Sequence, residues 1–284
     1  MKPLRNRSLL LALLVWLAAP AGAQTPAVIR PVVSHAAPKR AISNSAFQPG
    51  EKLEFAISYS GWLTAGYAYF SVGKQLSTHK GKSCYVIQGT GRSVPAFDWI
   101  YLVRDSFTTY VDAQRLVPHT YERIVHEGDY NFADKVSFDH EQRRIRTGKK
   151  GEFEMDGLTH DLLSAFYYAR NLGLTNFTVG QSYEMPVFLD DKTYNLGMTV
   201  LGREVVETEL GKFNCLKITP KLVTGRVFKE DGEPMLLWVT DDANYIPIKI
   251  TSPLVVGSVQ VRLIKYSGLR HPLTAKIEPE KKKK

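Results

Sequence analysis

His160, Asp161 and Ser164 place an imidazole, a carboxylate and a hydroxyl within five residues, the side-chain types that acyl transfer uses. That chemistry needs a base that reaches both the nucleophile and the group orienting it. Three residues on one turn at a helix start rarely achieve this relay. Asp161 and Thr159 are also N-cap types, so the cluster is expected to cap a helix and anchor it to a sheet. The seven histidines (35, 79, 119, 126, 140, 160 and 271) are scattered without His-x-His, His-x-x-x-His or Cys-x-x-Cys spacing, and no metal site is expected. A Gly-x-Ser-x-Gly elbow and a phosphate-cradling glycine loop are both absent from the sequence. Asp190-Asp191 and Asp241-Asp242 could serve as glycosidase acids or calcium ligands, but Asp bonds its own backbone in turns, and a turn is the expected role. Gly89-Thr90-Gly91 likewise reads as a turn at a strand end. No catalytic residue, metal or cofactor is assigned.

The remaining chemistry is apolar contact. Trp62, Tyr67 and Tyr69 precede a second aromatic group, Phe97, Trp99 and Tyr101. The latter three share one strand parity and are expected on one face. Leu162, Phe166 and Ala169 recur at helical spacing. These nine residues are core in one reading and the lining of an apolar groove in the other.

The elements that must position them are mostly strands. Leu53, Phe55, Ile57 and Tyr59 alternate with Lys52, Glu54, Ala56 and Ser58, as a half-buried strand does. Val136-Phe138, Leu196-Met198-Val200 and Val259-Val261-Leu263 repeat the pattern between turns spaced roughly ten residues apart, which favours a meander. The chain also resembles itself. Gly50–Glu54 matches Gly180–Glu184, Gly81–Ile87 matches Gly211–Ile218, and Tyr110–Pro118 matches Trp238–Pro247; Lys135–Asp139 and Gln260–Tyr266 close each unit. The expected fold is mainly β: a duplicated antiparallel curved sheet or half-barrel, with repeats at about 50–139 and 180–266. One central helix lies between them, near 159–173, with Thr159 or Asp161 as N-cap and Gly173 as terminator. The expected domain runs over 47–268. Cys84 and Cys215 occupy equivalent places on strands not obviously adjacent, and are expected to remain separate thiols.

The chain ends point to export. Lys2, Arg5 and Arg7, the apolar Leu9–Ala19 and the small Ala21-Gly22-Ala23 form a signal peptide over 1–23, with cleavage expected after Ala23. The apolar run is too short for roughly 30 Å of hydrocarbon, and no transmembrane span is expected in the mature form. Residues 24–46, rich in Pro, Ala and Ser, read as a flexible linker. The net charge of +9 comes from 37 Lys+Arg against 28 Asp+Glu; without the three leader cations it is 34 against 28. Four of the surplus six are Lys281–Lys284, in a basic tail expected over 269–284. Such a balance leaves no clustered basic face for nucleic acid.

The turn Gly61-Trp62-Leu63-Thr64-Ala65-Gly66, the helix Asp161-Leu162-Leu163-Ser164-Ala165-Phe166-Tyr167-Tyr168-Ala169-Arg170 and the segment Val111-Asp112…Leu116-Val117-Pro118 resemble the bacterial envelope family called domain of unknown function 3108. That family implies no catalytic residue. More distantly, Trp238–Pro247 is similar to strands of periplasmic lipoprotein carriers of the LolA/LolB type, half-open barrels that hold acyl chains on a concave surface plugged by helices. This likeness implies a periplasmic or secreted binding protein holding a lipid or other apolar envelope molecule. The alternative is a structural or assembly protein whose partner is another envelope protein, and an enzyme acting on envelope glycan ranks third.

Overall fold

A computed structural model of the chain describes residues 34–35, 42–223, 234–254 and 257–278. The expected signal peptide and terminal lysines lie outside the described residues, as does most of the expected linker. The fold is one large, curved antiparallel sheet that does not close into a barrel. In chain order its strands are β1 (Ser34–His35), β2 (Lys52–Tyr59), β3 (Leu63–Val72), β4 (Ser77–His79), β5 (Lys82–Ser93), β6 (Arg104–Asp112), β7 (Pro118–Glu127), β8 (Tyr130–Asp139), β9 (Arg144–Thr147) and β10 (Gly151–Glu154). They continue with β11 (Ser182–Leu189), β12 (Lys192–Thr208), β13 (Gly211–Val223), β14 (Leu236–Thr240), β15 (Pro247–Pro253), β16 (Ser258–Ser267) and β17 (Lys276–Ile277). Among the described residues two helices interrupt them, α1 (Pro95–Asp98) and α2 (Leu162–Ala169), with a 3-10 turn at Leu174–Asn176.

β2 and β3 lead through β5 to β8 and β9 in one meander, β11 to β16 form a second, and β16 pairs with β2 to make them continuous. Some of the positions that the sequence comparison paired have similar backbone angles and register shifts. Gly50 and Gly180, each just before a first strand, have φ of 88° and 87°. Leu116 and Tyr245 take φ of 53° and 47° in equivalent turns. The ladders slip at Tyr110/Val111 and at Trp238/Val239.

The far edges of the sheet meet through side chains, not through a ladder. Phe188 of β11 packs on Phe153 of β10 with ring centroids 5.3 Å apart and on Phe138 of β8 at 6.4 Å. Asp190 and Asp191 form the β11–β12 turn with φ of 46° and 64°, a left-handed pair that short polar side chains tolerate. Their carboxylates reach across the seam to Arg123 (2.9 Å) and Lys150 (2.5 Å).

Helix α2 sits inside the curl among apolar side chains from both meanders, including Ile87, Phe107, Tyr121, Val187, Val200 and Ile218. A second cluster joins β2, β3 and β12 to β16 around Leu53, Phe55, Phe213, Trp238 and Leu263. The packed chain extends past both limits read from sequence. Ala46 and Phe47 are fully buried, and Asn171 Oδ1 accepts from the Ser45 and Ala46 backbone N–H groups. At the other end β17 pairs with β13, and the His271 backbone N–H donates to Asn244 Oδ1. These extensions are held by hydrogen bonds more than by apolar periodicity, so their sequences read as linker and tail.

Candidate functional site

At one end of the curl, three connections come together: the β2–β3 turn, the segment from α1 to β6, and the β15–β16 turn. Ser60 N donates to Ser258 O at 2.7 Å, and Val94 N donates to Ala65 O at 3.0 Å. Gly257 is in the left-handed region (φ 75°), and a Cβ there would meet Ser60 Oγ at 2.6 Å. Glycine is what lets the two turns close on each other. Beneath them is an open-mouthed cavity of about 210 Å³ with almost wholly apolar walls, formed by Ile57, Phe97, Ile100, Tyr101, Leu254 and Val259 among others.

One wall depends on α1. Pro95 opens it, as suits a first helical turn. Ser93 Oγ donates to Asp98 and accepts from Val103 N at 2.9 Å, while Arg104 binds Asp98 at 2.6 Å. Arg104 and Ser93 hold the Asp98 carboxyl below its ordinary value. This turn overturns the parity expected for Phe97, Trp99 and Tyr101: a helix replaces the strand, Phe97 and Tyr101 line the cavity, and Trp99 faces solvent. Behind Tyr101 lies the buried Glu127, whose Oε2 is 3.5 Å from the phenol oxygen. Desolvation first, then Glu127, pushes the Tyr101 phenol up to about 12. Desolvation also raises the nearby buried Asp105 to about 6.

Ile57 is shared with a second, deeper cavity of about 80 Å³, roofed by Leu162, Leu163 and Phe166 of α2 and floored by Phe55, Ala68, Phe70, Phe107 and Tyr121. Gly89 lies inside β5, not in a turn as the Gly-Thr-Gly sequence implies. A Cβ there would stand 3.0 Å from the Phe70 ring and 3.7 Å from Leu163 Cδ1. The missing side chain makes room for the ring beneath the helix.

α2 is fixed at both ends. Asp161 caps it, accepting from Leu163 N and Ser164 N at 2.9 Å, and Ser164 Oγ accepts from Asp161 N at 3.0 Å to complete a capping box. The other Asp161 oxygen accepts from Thr109 Oγ1 of β6 at 2.7 Å. His160 packs against Tyr168 with ring centroids 4.4 Å apart, and burial drives its pKa down to about 3. The carboxylate and hydroxyl of the would-be triad are thus engaged in capping, and the imidazole is held neutral beside them. After the helix, Arg170 donates to both Glu51 oxygens at 2.6 and 2.8 Å and to Asn244 O at 3.0 Å.

Of the nine candidates, Phe97 and Tyr101 line the mouth cavity, and Leu162 and Phe166 line the deeper one. Trp62 and Trp99 are exposed in the connections that border the mouth. Tyr67 and Tyr69 alternate with Ala68 and Phe70, which face the deeper cavity, so they point to the other side of the sheet. Tyr69 accepts there from Arg92 at 2.9 Å. Ala169 packs in the core without lining either space. Sequence reading missed Ile57, Ile100, Leu254 and Val259. Ile57 and Val259 stood in plain alternation; Ile100 and Leu254 lie in or beside connections, where no period marks the inward side.

Fold and site together define an open, curled β-sheet protein with a helix plug and an apolar interior cavity. The family model described as "Protein of unknown function (DUF3108)" matches residues 54–264, and the chain belongs to that family. No match was found among curated proteins. A β-barrel-like protein of domain of unknown function DUF1849 from Brucella abortus shares the fold at 12% identity and a TM-score of 0.52, with 81% of this chain and 98% of that one covered. A Bacteroides fragilis protein with a YmcC-like fold aligns at 9% identity and a TM-score of 0.33, over 80% of this chain and 99% of that one. A hypothetical protein from Chlamydia trachomatis aligns at 9% identity and 0.29, over 82% and 93%.

Proposed function

We propose that this protein is exported to the cell envelope and holds an apolar or amphipathic, lipid-like ligand inside its curled sheet. The observation that carries this reading is the apolar cavity at the open end, which shares Ile57 as a wall with the space under Phe166. An apolar cavity of about 150 Å³ stays dry and accepts a benzene-sized guest, so the 210 Å³ here has room for a ring or part of an acyl chain. The leader-like residues 1–23 support the location, and the likeness of Trp238–Pro247 to lipoprotein-carrier strands supports the ligand class. We read the two meanders as copies of one unit of about 90 residues, joined at β16–β2, on the strength of their matched turns and bulges. Duplication of that kind builds a concave surface too large for either unit alone. Organic extraction of protein purified without detergent, followed by mass spectrometry, tests the reading. A stoichiometric co-purifying lipid is the expected result. A co-purifying polypeptide with no small molecule would instead favour an assembly role.

A further inference from the structure

Large apolar side chains stand exposed around the mouth of the cavity, and one of them, Ile100, also lines it. Trp62 is 77% exposed, Trp99 81%, Ile100 58% and Leu63 38%. Single exposed apolar residues are ordinary. These four lie in or next to just two connections, tied together at Ala65 and Val94, and both connections border one opening. Trp238, by contrast, is buried. Tryptophan joins a broad apolar ring to a polar N–H and is favoured at the boundary between hydrocarbon and headgroups.

The charge at this rim fits the same surroundings. Asp98 is neutralised by Arg104. Arg92, exposed at the end of β5, bonds only the Tyr69 hydroxyl and meets no carboxylate among the described residues. Arg92 thus offers a cation on the strand that borders the mouth, which suits anionic headgroups. Exposing each CH₂ of an apolar guest to water is unfavourable, and that exposure is avoided where the mouth opens directly onto its source.

We propose that Trp62, Leu63, Trp99 and Ile100 form a membrane-docking rim that seats in the headgroup region of a phospholipid bilayer and opens the cavity onto it. This inference rests on the cavity-binding reading above. The test uses the full chain with vesicles of mixed phosphatidylethanolamine and phosphatidylglycerol. Subtracting the emission of a Trp62→Phe/Trp99→Phe variant from that of the wild type isolates these two indoles. Vesicles should shift the difference emission to the blue, and lipids brominated on their acyl chains should quench it. Trp62→Asp/Trp99→Asp should lower vesicle partitioning at least tenfold while leaving binding of an apolar dye within twofold, since both side chains are outside the cavity.

Unshifted difference emission with vesicles would overturn the docking rim, and intact dye binding in that experiment would leave the cavity reading standing. Shielding of the two indoles that depends only on protein concentration would show a second copy on the rim, and would also overturn the proposal. Loss of dye binding by the wild type would instead defeat the cavity reading itself.

Discussion

Arg170 Nη1 stands 2.6 Å from Glu51 Oε1, with both side chains buried, and this pair clamps the end of α2 to the residue that leads into β2. A buried pair of this kind is expensive to break because removing one partner strands the other charge without water. Glu51→Ala or Arg170→Ala should each destabilise by about 3–5 kcal/mol, read from chemical denaturation. The double variant should cost clearly less than the two singles added together, because it leaves no orphaned charge. Additive losses would mean that the residues act independently.

Phe166 offers a sharper comparison. Full truncation of a packed Phe costs about 3–5 kcal/mol, but Phe166 is only half-buried and faces the deeper cavity. Phe166→Ala should therefore cost less than that range and should change the affinity for an apolar dye without unfolding the protein. Tyr167→Ala, at a fully buried neighbour on the same helix, should incur the larger loss. Equal losses would place Phe166 in closed core.

Stability should fall in acid through two histidines. Burial lowers His160 to about 3 and His140 to about 4, from 6.5. Each therefore contributes stability that is present above pH 6.5 and is lost as pH falls toward its folded value, by at most about 1.4 kcal/mol per pH unit per group. Asp105 works in the opposite direction. Its folded value is raised from 3.8 to about 6, so its contribution is fully present below pH 3.8 and is lost as pH rises through 6. His160→Gln should flatten the acid limb of a stability–pH curve, and Asp105→Asn should flatten the decline between pH 4 and 6. Unchanged limbs would refute both assignments.

Cys84 and Cys215 lie on β5 and β13, both free and buried, with burial pushing their thiols up to about 11 and 12. Near pH 8 neither thiol should react with a thiol reagent in the native protein. Denaturation without reductant should release two. A count near zero would mean a disulfide.

Much of the fold was legible because it follows periods. Alternation in β2 and β16 and helical spacing at Leu162 and Phe166 gave the strands, the helix and its cap. What stayed hidden has no period. α1 turns on Pro95 and a polar network around Ser93 and Asp98, and it rotates Trp99 away from the Phe97 and Tyr101 it was expected to join. Gly89 marks a place where another side chain must fit, which nothing nearby in sequence announces. The mouth cavity is built by connections more than 150 residues apart in the chain, between Ala65 and Leu254.

Filling that cavity tests the central claim most directly. Ala65 lies in its wall, and Ala65→Phe would place a ring in the space the ligand is held to occupy. Titration with an environment-sensitive apolar dye should give saturable, one-to-one binding to the wild type, displaced by a long-chain fatty acid. In Ala65→Phe, with folding verified by circular dichroism, affinity should fall at least tenfold. Dye binding that is absent from the wild type, or unaffected by Ala65→Phe, would contradict the account.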